Sequence, residues 1–139
     1  MQLHGSCVAR AGVGVLLIGP SGVGKSDLAL RMIGLGFTLV ADDQVDIIAG
    51  VASAPVALQG LLEVRGLGIL RLSFASAARL AVAISLGDEQ RLPEPARHDV
   101  LDLPLVTLDP RGASAAQRAS LALDCALGQI NQVAGAFLL

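Results

Sequence analysis

Apolar residues fall in short runs broken by glycine and charge. Residues 3–9 and 13–18 each read as a strand, separated by Arg10-Ala11-Gly12. A glycine at 12 supplies the positive φ that a tight hairpin needs, so the two runs are predicted to pair antiparallel. Further strands are predicted over 38–41, 45–48, 80–86 and 105–108. From Ser26 onward, Leu28, Met32 and Leu35 keep helical spacing, and Gly34 or Gly36 marks the end of that helix. A second helix is predicted over 114–133 with Ser114 as its N-cap. Residues 51–72 are glycine-rich, with Gly60, Gly66 and Gly68 bracketing Glu63 and Arg65, which predicts a shaped functional loop. Residues 87–102, rich in charge and proline, read as a mobile surface connection. The pattern is that of an α/β domain: a mixed sheet that opens with a hairpin and carries flanking helices.

Length and charge narrow the possibilities. At 139 residues the chain is expected to form one domain, residues 1–139. Ten basic against twelve acidic residues leave a net charge of -2, so no general positive field draws in nucleic acid or an anionic membrane. An anionic ligand must be held locally. With no Trp or Tyr and three Phe, the core must be built from Leu, Val, Ile and Ala, and stacking platforms are scarce. Cys7 and Cys125 have no CxxC spacing and read as small buried hydrophobes. The run 13–18 is too short to span a membrane, and 28–41 is interrupted by Arg31, Gly34 and Gly36. Residues 1–4 lack the features of a secretory signal, so a cytoplasmic location is expected.

Between the strand at 13–18 and the helix lies Gly19-Pro20-Ser21-Gly22-Val23-Gly24-Lys25-Ser26. The spacing G-x4-G-K-S in a strand-to-helix context is that of a phosphate loop. Glycines let successive N–H groups turn toward one anion, and the helix adds its positive end. Lys25 is then expected to reach the β- and γ-phosphates of ATP, and the Ser26 hydroxyl to ligate Mg²⁺. The alternatives are a glycine-rich turn without a ligand and a degenerate site that binds without hydrolysing.

The neighbours of this loop add candidate chemistry. If the hairpin turns at Ala11-Gly12, cross-strand partners have numbers summing to 23, which sets His4 opposite Gly19. A functional histidine and an ordinary surface one remain equally open there. Asp42 and Asp43 close the strand 38–41. A right-handed crossover would lay that strand beside 13–18, so that at least one carboxylate faces the γ-phosphate as a Mg²⁺ partner or proton acceptor. Glu63 and Arg65 read either as a metal ligand and a phosphoryl-stabilising cation or, more simply, as a surface ion pair.

In order and spacing, His4-Gly5, the loop 19–26, Leu39-Val40-Ala41-Asp42-Asp43 and the run from Leu62 to Ile69 resemble the catalytic domain of HPr kinase/phosphorylase, over residues 3 to about 72. That family phosphorylates a serine of the phosphocarrier protein HPr. The resemblance implies an ATP- and Mg²⁺-dependent protein serine kinase with His4 and Lys25 in the active site. It gives Asp42 the role of proton acceptor, and of donor in the reverse reaction. Ser26 and Glu63 become Mg²⁺ ligands, Asp43 and Arg65 join the nucleotide site, and Arg91-Leu92 is the best match for a later active-site arginine.

Three departures qualify the resemblance. The chain starts at the catalytic domain, as an excised domain or a short form similar to those of alphaproteobacteria. Residues 73–77 replace a glycine-rich stretch, so the family's hexamer and partner docking are not carried over and a homo-oligomer stays open. The family's PVRPGR-like segment, linked to dephosphorylation, is represented only by Thr107-Leu108-Asp109-Pro110-Arg111-Gly112. Kinase activity on HPr or an HPr-like carrier is therefore expected more than phosphorylase activity. Two other readings stand beside it: a small-molecule kinase or other P-loop NTPase, and a non-catalytic nucleotide-binding regulatory module.

Overall fold

The computed structural model describes residues 1–137. Its elements in chain order are β1 (Gln2–His4), β2 (Ser6–Arg10), β3 (Val13–Ile18), α1 (Lys25–Ile33), β4 (Thr38–Ala41), β5 (Gln44–Ile48) and β6 (Val51–Ser53). A 3₁₀ turn at Val56–Leu58 leads to β7 (Leu61–Val64), β8 (Gly68–Arg71), β9 (Ala78–Leu86), β10 (Leu105–Leu108) and α2 (Ala115–Ala126). The main sheet runs β1-β5-β6-β9-β3-β2-β4, with β10 also on β9. Its mixed character comes from β9, which pairs parallel with β3 and β10 and antiparallel with β6.

The hairpin expected at the start is present. Partners in β2 and β3 sum to 23, from Ser6↔Leu17 to Arg10↔Val13, and Ala11 and Gly12 both take positive φ, 52° and 78°. The first strand, however, is two. At Gly5 an added Cβ would stand 2.7 Å from the Leu17 carbonyl oxygen, so only glycine fits where the chain crosses. There β1 leaves β3 and pairs with β5, setting His4 against Gln44 rather than Gly19.

A second difference concerns the crossover. Strand β4 does not lie beside β3 but pairs antiparallel with β2, through Cys7↔Ala41 and Val8↔Leu39. The hairpin partner already fills that edge of β3. Because β2 runs antiparallel to both, β3 and β4 still point the same way, and their carboxyl ends open on the same side.

Residues 51–72, expected as a loop, hold β6 and the β7–β8 hairpin, with Glu63↔Ile69 and Val64↔Gly68 paired about the turn. Leu62 and Val64 are buried while Glu63 and Arg65 are not, the period-2 alternation of a half-buried strand. Helix α2 stops well short of 133, because Gly128 takes φ 73°. Ser114 precedes α2 but caps no N–H group; its Oγ accepts from Arg118 Nε at 3.2 Å. The connection 87–104 contains no helix or named strand, yet Arg97 ties it to Asp102, and an isolated bridge joins Arg97 to Pro104.

Both faces of the central strands are covered, which explains their unbroken apolar runs. Val15 and Leu17 of β3 meet Leu28, Met32 and Leu123 on the helical face, whereas Leu16 meets Val40, Val45 and Ile47 on the other. Cys7 is fully buried on that second face, and Cys125 is half-buried. No helix among the described residues is long and apolar enough to cross a membrane.

Candidate active site

Strands β3 and β4 and hairpin β7–β8 converge on the first turn of α1. The turn from β3 into α1 is shaped by Gly19, Gly22 and Gly24 at φ 150°, 80° and 113°, conformations that L side chains rarely adopt. Lys25 follows as the first helical residue. Its ammonium donates to the carbonyls of Gly19 (2.7 Å) and Pro20 (3.0 Å), folding over the turn it ends. Burial pulls the Lys25 pKa down, and the nearby charges of Asp42 and Asp43 oppose that shift.

Asp42 is the centre of the arrangement. It is 6% exposed and accepts from the Ser6 hydroxyl at 2.6 Å, from the Ser26 hydroxyl at 2.8 and 3.0 Å, and from the Glu63 N–H at 3.3 Å. A buried carboxylate needs such donors, because leaving it unpaired in a low-dielectric surrounding is costly. One side chain thus joins β2, α1, β4 and β7. Asp43, at φ 70°, turns the other way into the open, where its Oδ1 lies 3.4 Å from His4 Nδ1. His4 Nε2 lies 3.4 Å from Ser21 Oγ. The histidine reaches the glycine-rich turn as expected, but through the β1–β5 pairing.

These groups line one cavity of about 540 Å³, together with Arg65 and with Pro110 and Arg111 from the β10–α2 turn. That volume suits a nucleotide-sized ligand. His4, Ser21, Gly22, Val23, Gly24, Lys25, Ser26, Asp42, Asp43, Glu63 and Arg65, all singled out in the sequence, border it. Gly19 and Pro20 contribute their carbonyls to Lys25 from behind. Arg91 is not among the lining residues; it lies in the 87–104 connection, and Arg111 occupies the rim instead.

Sequence reasoning missed Ser6, and it named Arg111 only within the 107–112 segment, without giving it a place at the cavity. The hairpin register pairs Ser6 with Leu17, close to the loop, but one hydroxyl among strand residues carries no distinguishing signal.

Among the described residues, no group of three or more His, Cys, Asp or Glu side chains forms a cation cage. Ser26, Asp42 and Glu63 are nevertheless hard oxygen donors around one end of the cavity. Such a set suits Mg²⁺, which is typically held by one or two carboxylates together with substrate phosphates and water.

Known proteins share this framework. The family model described as HPr Serine kinase C-terminal domain matches residues 1–81. The HPr kinase/phosphorylase of Clostridium tetani is 52% identical over 73 residues, 50% of this chain and 24% of that protein. The HPr kinase/phosphorylase of Burkholderia lata is 43% identical over 121 residues, 74% of this chain and 38% of that one. The chain therefore spans well under half the length of these curated relatives. In three dimensions it is similar to the Hpr(Ser) kinase/phosphatase from Coxiella burnetii, with a TM-score of 0.78 over 93% of this chain and 92% of that chain; at 22% identity the likeness speaks to the fold. With the family model covering more than half of its residues, the chain belongs to the HPr serine kinase C-terminal domain family.

Proposed function

We propose that this chain is a protein serine kinase domain that uses ATP and Mg²⁺ to phosphorylate HPr, or an HPr-like phosphocarrier, in the cytoplasm. The observation that carries the reading is the Ser26–Asp42 contact at the start of α1, with Lys25 beside it and Glu63 opposite. A strand-to-helix turn without a ligand has no use for that set.

In this reading, residues 19–26 form a phosphate loop whose N–H groups and helix end hold the triphosphate. Lys25 exchanges its two loop carbonyls for phosphate oxygens. Ser26, Asp42 and Glu63 would hold Mg²⁺, which would supply positive charge to offset that of the phosphates. Arg65, exposed at the β7–β8 turn, approaches the transferring phosphoryl from the acceptor side.

The two aspartates divide the remaining work. Family resemblance alone gave proton acceptance to Asp42, but three donors already engage that carboxylate and bury it. Asp43 is open to an incoming serine, with His4 Nδ1 3.4 Å from its Oδ1 and Lys25 near enough to feel its charge. We therefore assign the serine proton to Asp43, with His4 orienting the carboxylate, and assign Asp42 to Ser26 and the metal.

Labelled ATP, Mg²⁺ and purified HPr incubated with the protein should yield phosphoserine on HPr. ATP binding without transfer to HPr would sink the kinase reading and leave a regulatory nucleotide-binding module. Faster transfer to a small metabolite than to HPr would point to a small-molecule kinase.

A further inference from the structure

The β10–α2 turn is built onto the glycine-rich turn rather than merely near it. A Cβ placed on Gly24 would lie 3.7 Å from Pro110 Cβ, so the proline ring covers the end of that turn. Arg31, in the last turn of α1, donates to the carbonyls of Pro110 and Gly112 and fixes the backbone on either side of Arg111. Asp109 then fixes the Arg111 side chain: Nε donates to Oδ1 at 3.1 Å and Nη2 to Oδ2 at 2.9 Å, while the Arg111 N–H donates to Oδ1 at 2.9 Å.

That fork spends one edge of the guanidinium and cancels much of its charge. An arginine meant to clamp phosphate would offer the same fork to the ligand. What remains free is the flat face of the group, on a side chain that is 82% exposed at the rim of the cavity. Guanidinium faces stack well on planar rings. The chain has no Trp or Tyr, none of its three Phe residues lines the cavity, and the one ring that does, His4, has its two nitrogens turned to Asp43 and Ser21.

We propose that Arg111, locked by Asp109 and backed by Pro110, is the platform on which the purine ring of the bound nucleotide stacks. The proposal rests on the phosphate-loop reading above and assigns the opposite end of the same ligand. Arg111 is in these terms a nucleoside-binding residue that makes no contact with the triphosphate.

The test compares ATP with inorganic triphosphate, each titrated calorimetrically with Mg²⁺ into the wild type, Arg111→Ala and Arg111→Phe. Arg111→Ala should weaken ATP about tenfold and leave triphosphate unchanged, which also reports that the variant is folded. Arg111→Phe, which restores a flat face without charge, should recover most of the ATP affinity. Equal losses for ATP and triphosphate, or no loss for either, would overturn the platform. Failure of the wild type to bind triphosphate would instead remove the phosphate loop itself, and the platform with it.

Discussion

The Ser6 hydroxyl donates to Asp42 Oδ1 at 2.6 Å, a buried contact between residues 36 apart in sequence. It ties the second strand to the carboxylate on which the rest of the site converges. Ser6→Ala would leave that carboxylate with one donor fewer in a buried position. A loss of about 1.5–3 kcal/mol is expected, measured by urea denaturation. The variant should also bind Mg²⁺-ATP more weakly. Unchanged stability would mean that water takes the place of the hydroxyl.

The division of labour between the aspartates predicts opposite kinetic signatures. Asp43→Asn should lower the rate of transfer by roughly 10²–10⁴-fold while nucleotide affinity stays near normal. Asp42→Asn should instead weaken Mg²⁺-ATP binding and shift the Mg²⁺ requirement upward. Binding titrations and single-turnover assays separate the two. The reverse pattern would return proton acceptance to Asp42.

Gly5→Ala places a methyl group against the Leu17 carbonyl, which is backbone and has little room to move. A cost of about 1–3 kcal/mol follows, measured by thermal or urea unfolding. Because β1 carries His4, the variant should lose transfer rate beyond what its stability explains, and the His4 ring signals in NMR spectra should shift.

Lys25 gives the pH dependence its sign. Burial lowers the ammonium's pKa in the folded protein, so below that pKa the charged group weighs against folding. The penalty is relieved as pH rises from the folded toward the unfolded value. A bound triphosphate favours the charged form, so ATP affinity should fall as pH rises through the lowered pKa, before an ordinary lysine near ~10.4 would titrate. ATP titrations from about pH 7 to about pH 10 should show this fall, and Lys25→Gln should remove it.

Cys7 is fully buried, and desolvation pushes its thiol pKa up to about 12. It should resist alkylation until the sheet opens, whereas the half-buried Cys125 reacts earlier. Mass spectrometry after timed labelling in increasing urea would check the order. Early labelling of Cys7 would mean that the edge strand β4 peels locally from β2.

Much of this was legible in the chain, and the failures share a physical cause. The register of the first hairpin follows from a two-residue turn, because Ala11 and Gly12 fix which residues face each other. The loop 19–26 was legible because its glycines sit where the backbone must take positive φ. Non-local choices were not. Nothing in the sequence around His4 says that β1 pairs with a strand forty residues on, nor that β2 comes between β3 and β4. The β7–β8 hairpin hid behind its glycines, which sit at its turn and ends while the alternation lies between. The place of Arg111 at the cavity rim was not legible, because it is set by Arg31, 80 positions earlier in the numbering, and by a proline packed on another loop.

Helix α1 begins with Lys25 and Ser26 and carries, near its far end, the arginine that pins the 109–112 turn. Arg31 lies six positions after Lys25, about 9 Å along a rigid rod. In the proposed binding mode the helix acts as a gauge that would set the spacing and the angular phase between the triphosphate end of the ligand and its nucleoside end. One residue inserted between Asp27 and Arg31 would swing the guanidinium by about 100° and release the turn, with every side chain of the site still present.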